Sequence, residues 1–323
     1  MNKVIVKYLL FFSLISAILS CDNDIDPIYR QHMRDFVEGI SYYAHSFDPD
    51  FLIIPQNGIE LVSENGEEDG PPSSIYLDAI DANGQEDLFY GYRRDNRESP
   101  VNERNYLISF LDISKAAGNI IFVTDYCSDH DNMNDSYNKN ASKGYISFAA
   151  DHRDLNNIPS YPSVPNNVNA DDITEISQVR NFLYLIDPGN FSSKEAFLQA
   201  LEATNYDLII IDLFFNENIS YTPEEISHLK IKQNGGLRLV VCYMSIGEAE
   251  DYRYYWQSSW NHNKPDWLDR ENPDWEGNYK VKYWNPEWQA IIYGNNDSYT
   301  KKILDAGFDG AYLDIIDAFE YYE

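Results

Sequence analysis

Short apolar runs recur along this 323-residue chain, and most stop on an acid, an amide or an aromatic. Phe51-Leu-Ile-Ile54 leads into Pro55-Gln56-Asn57-Gly58, and a run around Asp78 to Asn83 leads to Glu86. Residues 120–124 end at Asp125, 182–186 at Asp187 and 208–211 at Asp212. Residues 237–244 run into Ser245-Ile246-Gly247, 279–283 end at Trp284, and 310–313 end at Asp314. Apolar runs of this length between turn signals read as strands. Helical stretches such as 193–203 and 222–233 separate most of them. Strands alternating with helices predict a parallel α/β architecture. Eight such strands are the number that closes a (β/α)8 TIM barrel, whose active-site face is built at the C-terminal ends of its strands. The competing form, an open doubly wound sheet, calls for a glycine-rich phosphate turn after an early strand, and the chain has none.

The order of elements is rotated. A helix-like segment, Pro27 to His45, stands before any strand, and the run ending at Asp314 has no helix before Glu323. Each end supplies what the other lacks. The expectation is a barrel circularly permuted at a βα junction, forming one domain over residues 27–323. The first helix then packs beside the last strand, and the Asn-, Pro- and Ser-rich stretch 154–179 serves as the internal linker.

Residues 1–20 read as a lipoprotein signal peptide. Lys3 and Lys7 precede an apolar run that ends at Leu19-Ser20-Cys21, the layout of an export signal rather than a structural helix. Cys21 resembles the lipidated cysteine of a lipobox, although Leu19 stands where a small residue is commoner. Residues 21–26 form an acidic tether containing Asp22, Asp24 and Asp26. The expected location is the cell envelope, as an outer-membrane or cell-surface lipoprotein held by its lipid. Cys127 and Cys242 lie in or beside strand-like runs and are expected to be buried thiols rather than a disulfide. The six histidines show no zinc spacing, so neither metal nor cofactor is expected. A net charge of -29 excludes a nucleic-acid partner, because phosphate backbones need a basic footprint. It suits a cationic ligand, or simply a soluble, self-repelling surface.

Strand-end side chains give the candidate site: Asn57, Glu86, Asp125, Asp187, Asp212, Trp284 and Asp314. Three motifs join them. Tyr243-Met-Ser245-Ile-Gly247-Glu-Ala-Glu250-Asp-Tyr-Arg253 resembles the Y-x-S-x-G-x-x-E-x-x-R segment of glycoside hydrolase family 114, the endo-α-1,4-polygalactosaminidases. It is closer still to a bacterial branch labelled as cysteinyl-tRNA synthetase related, although no synthetase signature is present. The stretches Tyr283 to Trp288 and Gly307 to Asp317 fit that branch as well. With the order rotated, the resemblance covers roughly the whole mature chain.

The resemblance implies a glycosidase with a polysaccharide substrate and two catalytic carboxyls, Asp314 as nucleophile or base and Glu86 as general acid/base. Tyr243, Glu250 and Asp317 join Asn57, Asp125, Asp187, Asp212 and Trp284 as expected substrate-binding residues. Glu250 and Arg253 are spaced to pair and shape a loop. The six tryptophans cluster after Gly247, either as walls for sugar rings or as a satellite hydrophobic cluster. The second functional class is a non-catalytic surface lipoprotein that captures glycan; keeping both Asp314 and Glu86 argues for the enzyme.

Overall fold

The computed structural model describes residues 28–216 and 219–323. The expected signal segment, Cys21 and the expected acidic tether therefore lie outside the described residues. Among the described residues there are eleven strands: β1 (Leu52–Pro55), β2 (Ala82–Glu86), β3 (Ile120–Tyr126), β4 (Ile146–Ala150), β5 (Phe182–Tyr184), β6 (Leu208–Ile211), β7 (Leu239–Ser245), β8 (Glu248–Glu250), β9 (Leu268–Glu271), β10 (Asn278–Val281) and β11 (Gly310–Asp314).

Parallel ladders join β5, β6, β7, β11 and β1 in that order, and a second parallel sheet runs β2-β3-β4. A parallel bridge between Gln56 and Gly84 links β1 to β2. It is flanked by Asp81 N–H to Ile53 O at 3.0 Å and Asn57 N–H to Gly84 O at 2.9 Å. At the other edge β4 lies against β5 with no ladder between them among the described residues. Aromatic rings fill that seam instead, with Phe182 5.1 Å from Phe122 and 5.8 Å from Phe148. The mixed α/β fold with parallel sheets matches the sequence reading. The hydrogen-bonded array is open at one seam, whereas a closed ring was expected.

Two strand assignments are corrected. The run 279–283 does not join the parallel array; it forms β10, in a separate antiparallel sheet ordered β8-β10-β9. The additional parallel strand is β4, whose sequence Ile-Ser-Phe-Ala-Ala is too short and small to stand out. Residues 74–78 are helical, and the strand after them is Ala-Asn-Gly-Gln-Glu, which has almost no intrinsic strand propensity. Its glycine is needed: a Cβ on Gly84 would sit 2.0 Å from the Tyr312 hydroxyl. Tyr312 and Tyr184 (centroids 5.2 Å apart) are two of the rings that fill the interior of the array.

The helix Ile28–His45 buries Met33, Phe36, Val37, Ile40 and Ala44, an apolar stripe at helical spacing. It packs against the 3-10 segment Ile316–Tyr321 that follows β11, and against the helix Tyr299–Ala306. The linker stretch is pinned from below. Asn169 donates to Asp207 at 2.8 Å, and Asp207 forms a fully buried ion pair with Lys232 at 2.9 Å. Cys127 and Cys242 are buried free thiols.

Candidate active site

A cavity of about 960 Å³ opens at the C-terminal ends of the parallel strands, where barrel-type enzymes carry their chemistry. Glu86 ends β2 and Asp314 ends β11. Gln56, just past β1, lies between them. Its Nε2 donates to Glu86 Oε2 at 2.9 Å and to Asp314 Oδ1 at 3.0 Å. Asn57 adds a second donor to Glu86 Oε2 at 3.0 Å, and its Oδ1 accepts from the Glu86 N–H at 3.0 Å. The Tyr126 hydroxyl donates to Glu86 Oε1, and the Tyr243 hydroxyl donates to Asp314 Oδ2 at 2.7 Å. Both carboxylates are thus aimed and held by neutral donors.

The backbone turns sharply after each carboxyl. Asp87 and Ile315, the residues following Glu86 and Asp314, have φ of 57° and 59°, and Asn57 has 61°. A β-branched residue in the left-handed region is strained, and such strain persists where packing over-determines a site.

Burial sets the protonation of the site. It pushes Asp314 up to about 6, against the Tyr243 hydroxyl, which favours the charged form. Burial also raises Glu86, and the nearby Asp314 charge raises it further. Asp317, in the same cavity, is pushed up to about 8 by burial and then by Asp314 and Glu320. Strongly shifted carboxyls in one cleft are the physical signature of acid–base chemistry.

Of the other residues singled out from the sequence, Asp187, Asp212, Tyr243, Glu250, Asn57 and Asp317 all line the cavity. Asp212 and Glu250 are already engaged. Arg253 donates two bonds to Asp212, at 2.8 and 2.6 Å, and two to Glu250, at 2.6 and 3.1 Å. That buried clamp ties the β6 end to β8. Asp187 accepts from the Gly189 N–H at 2.8 Å and shapes its own turn.

Asp125 and Trp284 are placed elsewhere. Side chains alternate across a strand, so Tyr126 turns toward Glu86 while Asp125 points outward. There Asp125 is fully buried and accepts from the N–H groups of Phe89 (2.8 Å) and Tyr90 (3.1 Å), from Ser136 (2.6 Å) and from Asn140 (3.1 Å). It fixes the segment after β2. Trp284 packs among Tyr29, His32 and Tyr322, with centroids 5.1, 5.7 and 4.8 Å away, because its strand belongs to the antiparallel excursion.

Reading strand ends from sequence missed Gln56 and Tyr126. Gln56 adjoins the Asn57 that was singled out, and Tyr126 lies two residues past the expected end of β3. Glu248, completely buried, lines the cavity on β8. Among the described residues no group of three or more His, Cys, Asp or Glu is arranged to hold a metal ion.

Three relatives of unassigned function are similar to this chain. An uncharacterized protein of Methanocaldococcus jannaschii is 42% identical over 181 residues, 55% of this chain and 49% of that one. One from Thermotoga maritima is 44% identical over 124 residues, covering 38% of this chain and 36% of the relative. One from Deinococcus radiodurans is 37% identical over 126 residues, covering 39% and 38% respectively. The chain therefore spans half or less of the length of these curated relatives. Residues 187–322 match the family model for glycoside-hydrolase family GH114, a segment holding Asp314, Tyr243 and the Arg253 clamp but not Glu86. Over residues 187–322, then, the chain is similar to glycoside-hydrolase family GH114.

Proposed function

We propose that this protein is a retaining glycoside hydrolase acting on a polysaccharide, with Asp314 as nucleophile and Glu86 as general acid and base. One observation carries the reading: Gln56 Nε2 bonds both carboxyls, so their bonded oxygens lie no more than about 6 Å apart. Retaining glycosidases hold their carboxyls about 5–5.5 Å apart, whereas inverting ones leave about 6.5–9.5 Å for a water. In the first step an Asp314 oxygen attacks the anomeric carbon. The glycosidic C–O bond breaks as the Glu86 proton passes to the departing oxygen. In the second, Glu86 takes a proton from water, the hydroxide displaces Asp314, and the sugar leaves with its configuration kept. Raised affinity of Glu86 for its proton suits the acid role.

The substrate we infer is an α-1,4-linked polymer containing galactosamine. Supporting this are the acids around the cavity, Asp187, Asp212, Glu248, Glu250 and Asp317 beside the pair, and the net charge of -29. Such a groove concentrates cations. We also read the parallel array as a permuted (β/α)8 barrel, a reading supported by the ladder pairing Leu52 with Gly310 and by β4 lying against β5. The lipobox-like Cys21 supports attachment to the cell envelope by lipid.

The test is incubation of the purified protein with α-1,4-linked galactosamine polymer and a panel of other glycans, with anomeric products followed by NMR. Retained configuration in wild type, with turnover lowered by about 10³-fold or more in both Glu86→Gln and Asp314→Asn, is the expected result. Inverted product, or near wild-type turnover in either variant, overturns the assignment of roles. A protein that binds glycan and cleaves none is the non-catalytic capture lipoprotein instead.

A further inference from the structure

Five of the six tryptophans are packed into the body of the molecule. Trp260, Trp267 and Trp288 are buried, with Trp267 5.0 Å from each of the other two. Trp256 leans on Trp260 at 5.3 Å and on Tyr279 at 4.9 Å, and Trp284 packs against the N-terminal helix. Trp275 differs. Its surface is 59% exposed, and among the described residues its ring meets no other ring and no cation. It lines the rim of the main cavity. A large apolar side chain left in water at the mouth of a polar cavity is the informative exception to ordinary burial.

The backbone beneath it is well fixed. Residues 272–277 connect β9 to β10. Asn272 N–H donates to Asn278 O at 2.7 Å, Asn278 N–H to Trp275 O at 3.1 Å, and Trp275 N–H to Asn272 O at 3.4 Å. Gly277 takes φ of +85°, where a side chain would be strained, and its N–H is held by Glu271 at 2.9 Å. An indole has two side-chain torsions, so ordering it against a ligand costs little entropy. Below the platform, Asn272 Nδ2 donates to Glu248 Oε1 at 2.9 Å, and the Glu248 charge in turn acts on Asp314. Trp275 thus stands in the same cavity as the carboxyl pair but two residues removed from Asp314.

We propose that Trp275 is the stacking platform of a distal sugar subsite, contacting a ring other than the one attacked at Asp314. This deepens the glycosidase reading and rests on it. The apolar face of a pyranose covers the indole, and the polar neighbours Asn272, Asn278 and Glu248 meet its hydroxyl or amine groups. The subsite gives the enzyme a grip on chains several sugars long and adds nothing for fragments too short to reach the turn.

The experiment compares wild type, Trp275→Ala and Trp275→Phe on α-1,4-linked galactosamine polymer and on the corresponding disaccharide, with thermal unfolding as a control for folding. Expected is a KM for the polymer raised about tenfold in Trp275→Ala, equal to about 1.4 kcal/mol and within reach of one aromatic contact. Trp275→Phe keeps part of the grip, and disaccharide kinetics and melting temperature are unchanged. A polymer KM equal to wild type, or equal losses on both substrates, overturns the platform while leaving the glycosidase standing. If wild type cleaves neither substrate, the galactosamine reading falls on its own. Titrating tryptophan fluorescence with the polymer then decides the platform: a response in wild type that vanishes in Trp275→Ala upholds it, and any other pattern ends it.

Discussion

Glu86 and Asp314, 228 positions apart in the chain, share a single hydrogen-bond donor, Nε2 of Gln56, at 2.9 and 3.0 Å. Two carboxyls so close cannot both ionise freely, and one amide spans the pair. Orientation of that amide is fixed by chemistry, since the reverse flip would face its oxygen to both acids. Replacing Gln56 with Leu removes the shared donor and sharpens the repulsion. Activity is expected to fall by about 10- to 100-fold, with the acidic limb of the pH–rate profile moved upward because the ionised form has lost support. A Gln56→Leu enzyme with wild-type rate and profile would remove the bridge from the mechanism.

Stability and pH are linked through Asp314. Its folded pKa is raised to about 6 from an ordinary value near 3.8, so between those values the folded protein binds more protons than the unfolded chain. Stability therefore falls as pH rises through that window. Two units correspond to roughly 2–3 kcal/mol at most. Asp314→Asn should melt higher than wild type at pH 7, and the gap should close near pH 4. Melting curves at the two pH values check this, and an equal gap at both would contradict it.

Asp212 offers a way to separate folding from binding. Both of its oxygens are taken by Arg253, and the pair is nearly buried. Removing one partner of a buried ion pair leaves an uncompensated charge and typically costs about 3–5 kcal/mol. Glu250 remains to hold Arg253, so Asp212→Ala should lose roughly 2–3 kcal/mol in denaturant unfolding. A variant as stable as wild type that merely binds sugar more weakly would return Asp212 to the substrate.

If the acidic cavity steers an ammonium-bearing polymer, the steering is screened over ~8 Å at physiological ionic strength. Initial rates on the amine polymer should drop several-fold as salt rises from low to high, while rates on the fully N-acetylated form stay low and flat. Equal rates on both forms, indifferent to salt, would detach the charge of the cavity from the substrate.

Lipid attachment is tested directly. Changing Cys21 to Ser removes the proposed acylation site, and acyl chains supply about 0.8 kcal/mol per buried methylene. The variant should move from the membrane fraction to the soluble fraction on centrifugation. Unchanged membrane fractionation would dismiss the anchor.

Much of the fold was legible because hydrophobic alternation is a local property. The runs that became β1, β3, β5, β6, β7 and β11 announce themselves by composition, and the acid at the end of the last marked Asp314 as a candidate before any geometry was known. One strand, β4, was hidden and the bounds of another, β2, were misplaced, for one physical reason. β2 and β4 carry small and polar residues, and their extended form comes from neighbours on either side, as Gly84 shows by yielding its volume to Tyr312. Tertiary structure alone decided which strand-end side chains meet. One residue of register separates Tyr126, which bonds Glu86, from Asp125, which is buried in the helix layer. It also decided that Asp212 and Glu250 turn to Arg253, and that Trp275 alone among the tryptophans faces the cavity rim. Sequence patterns specify which segments extend and which coil; pairing across 228 residues is set only when the closing of the sheets brings distant strand ends to one face.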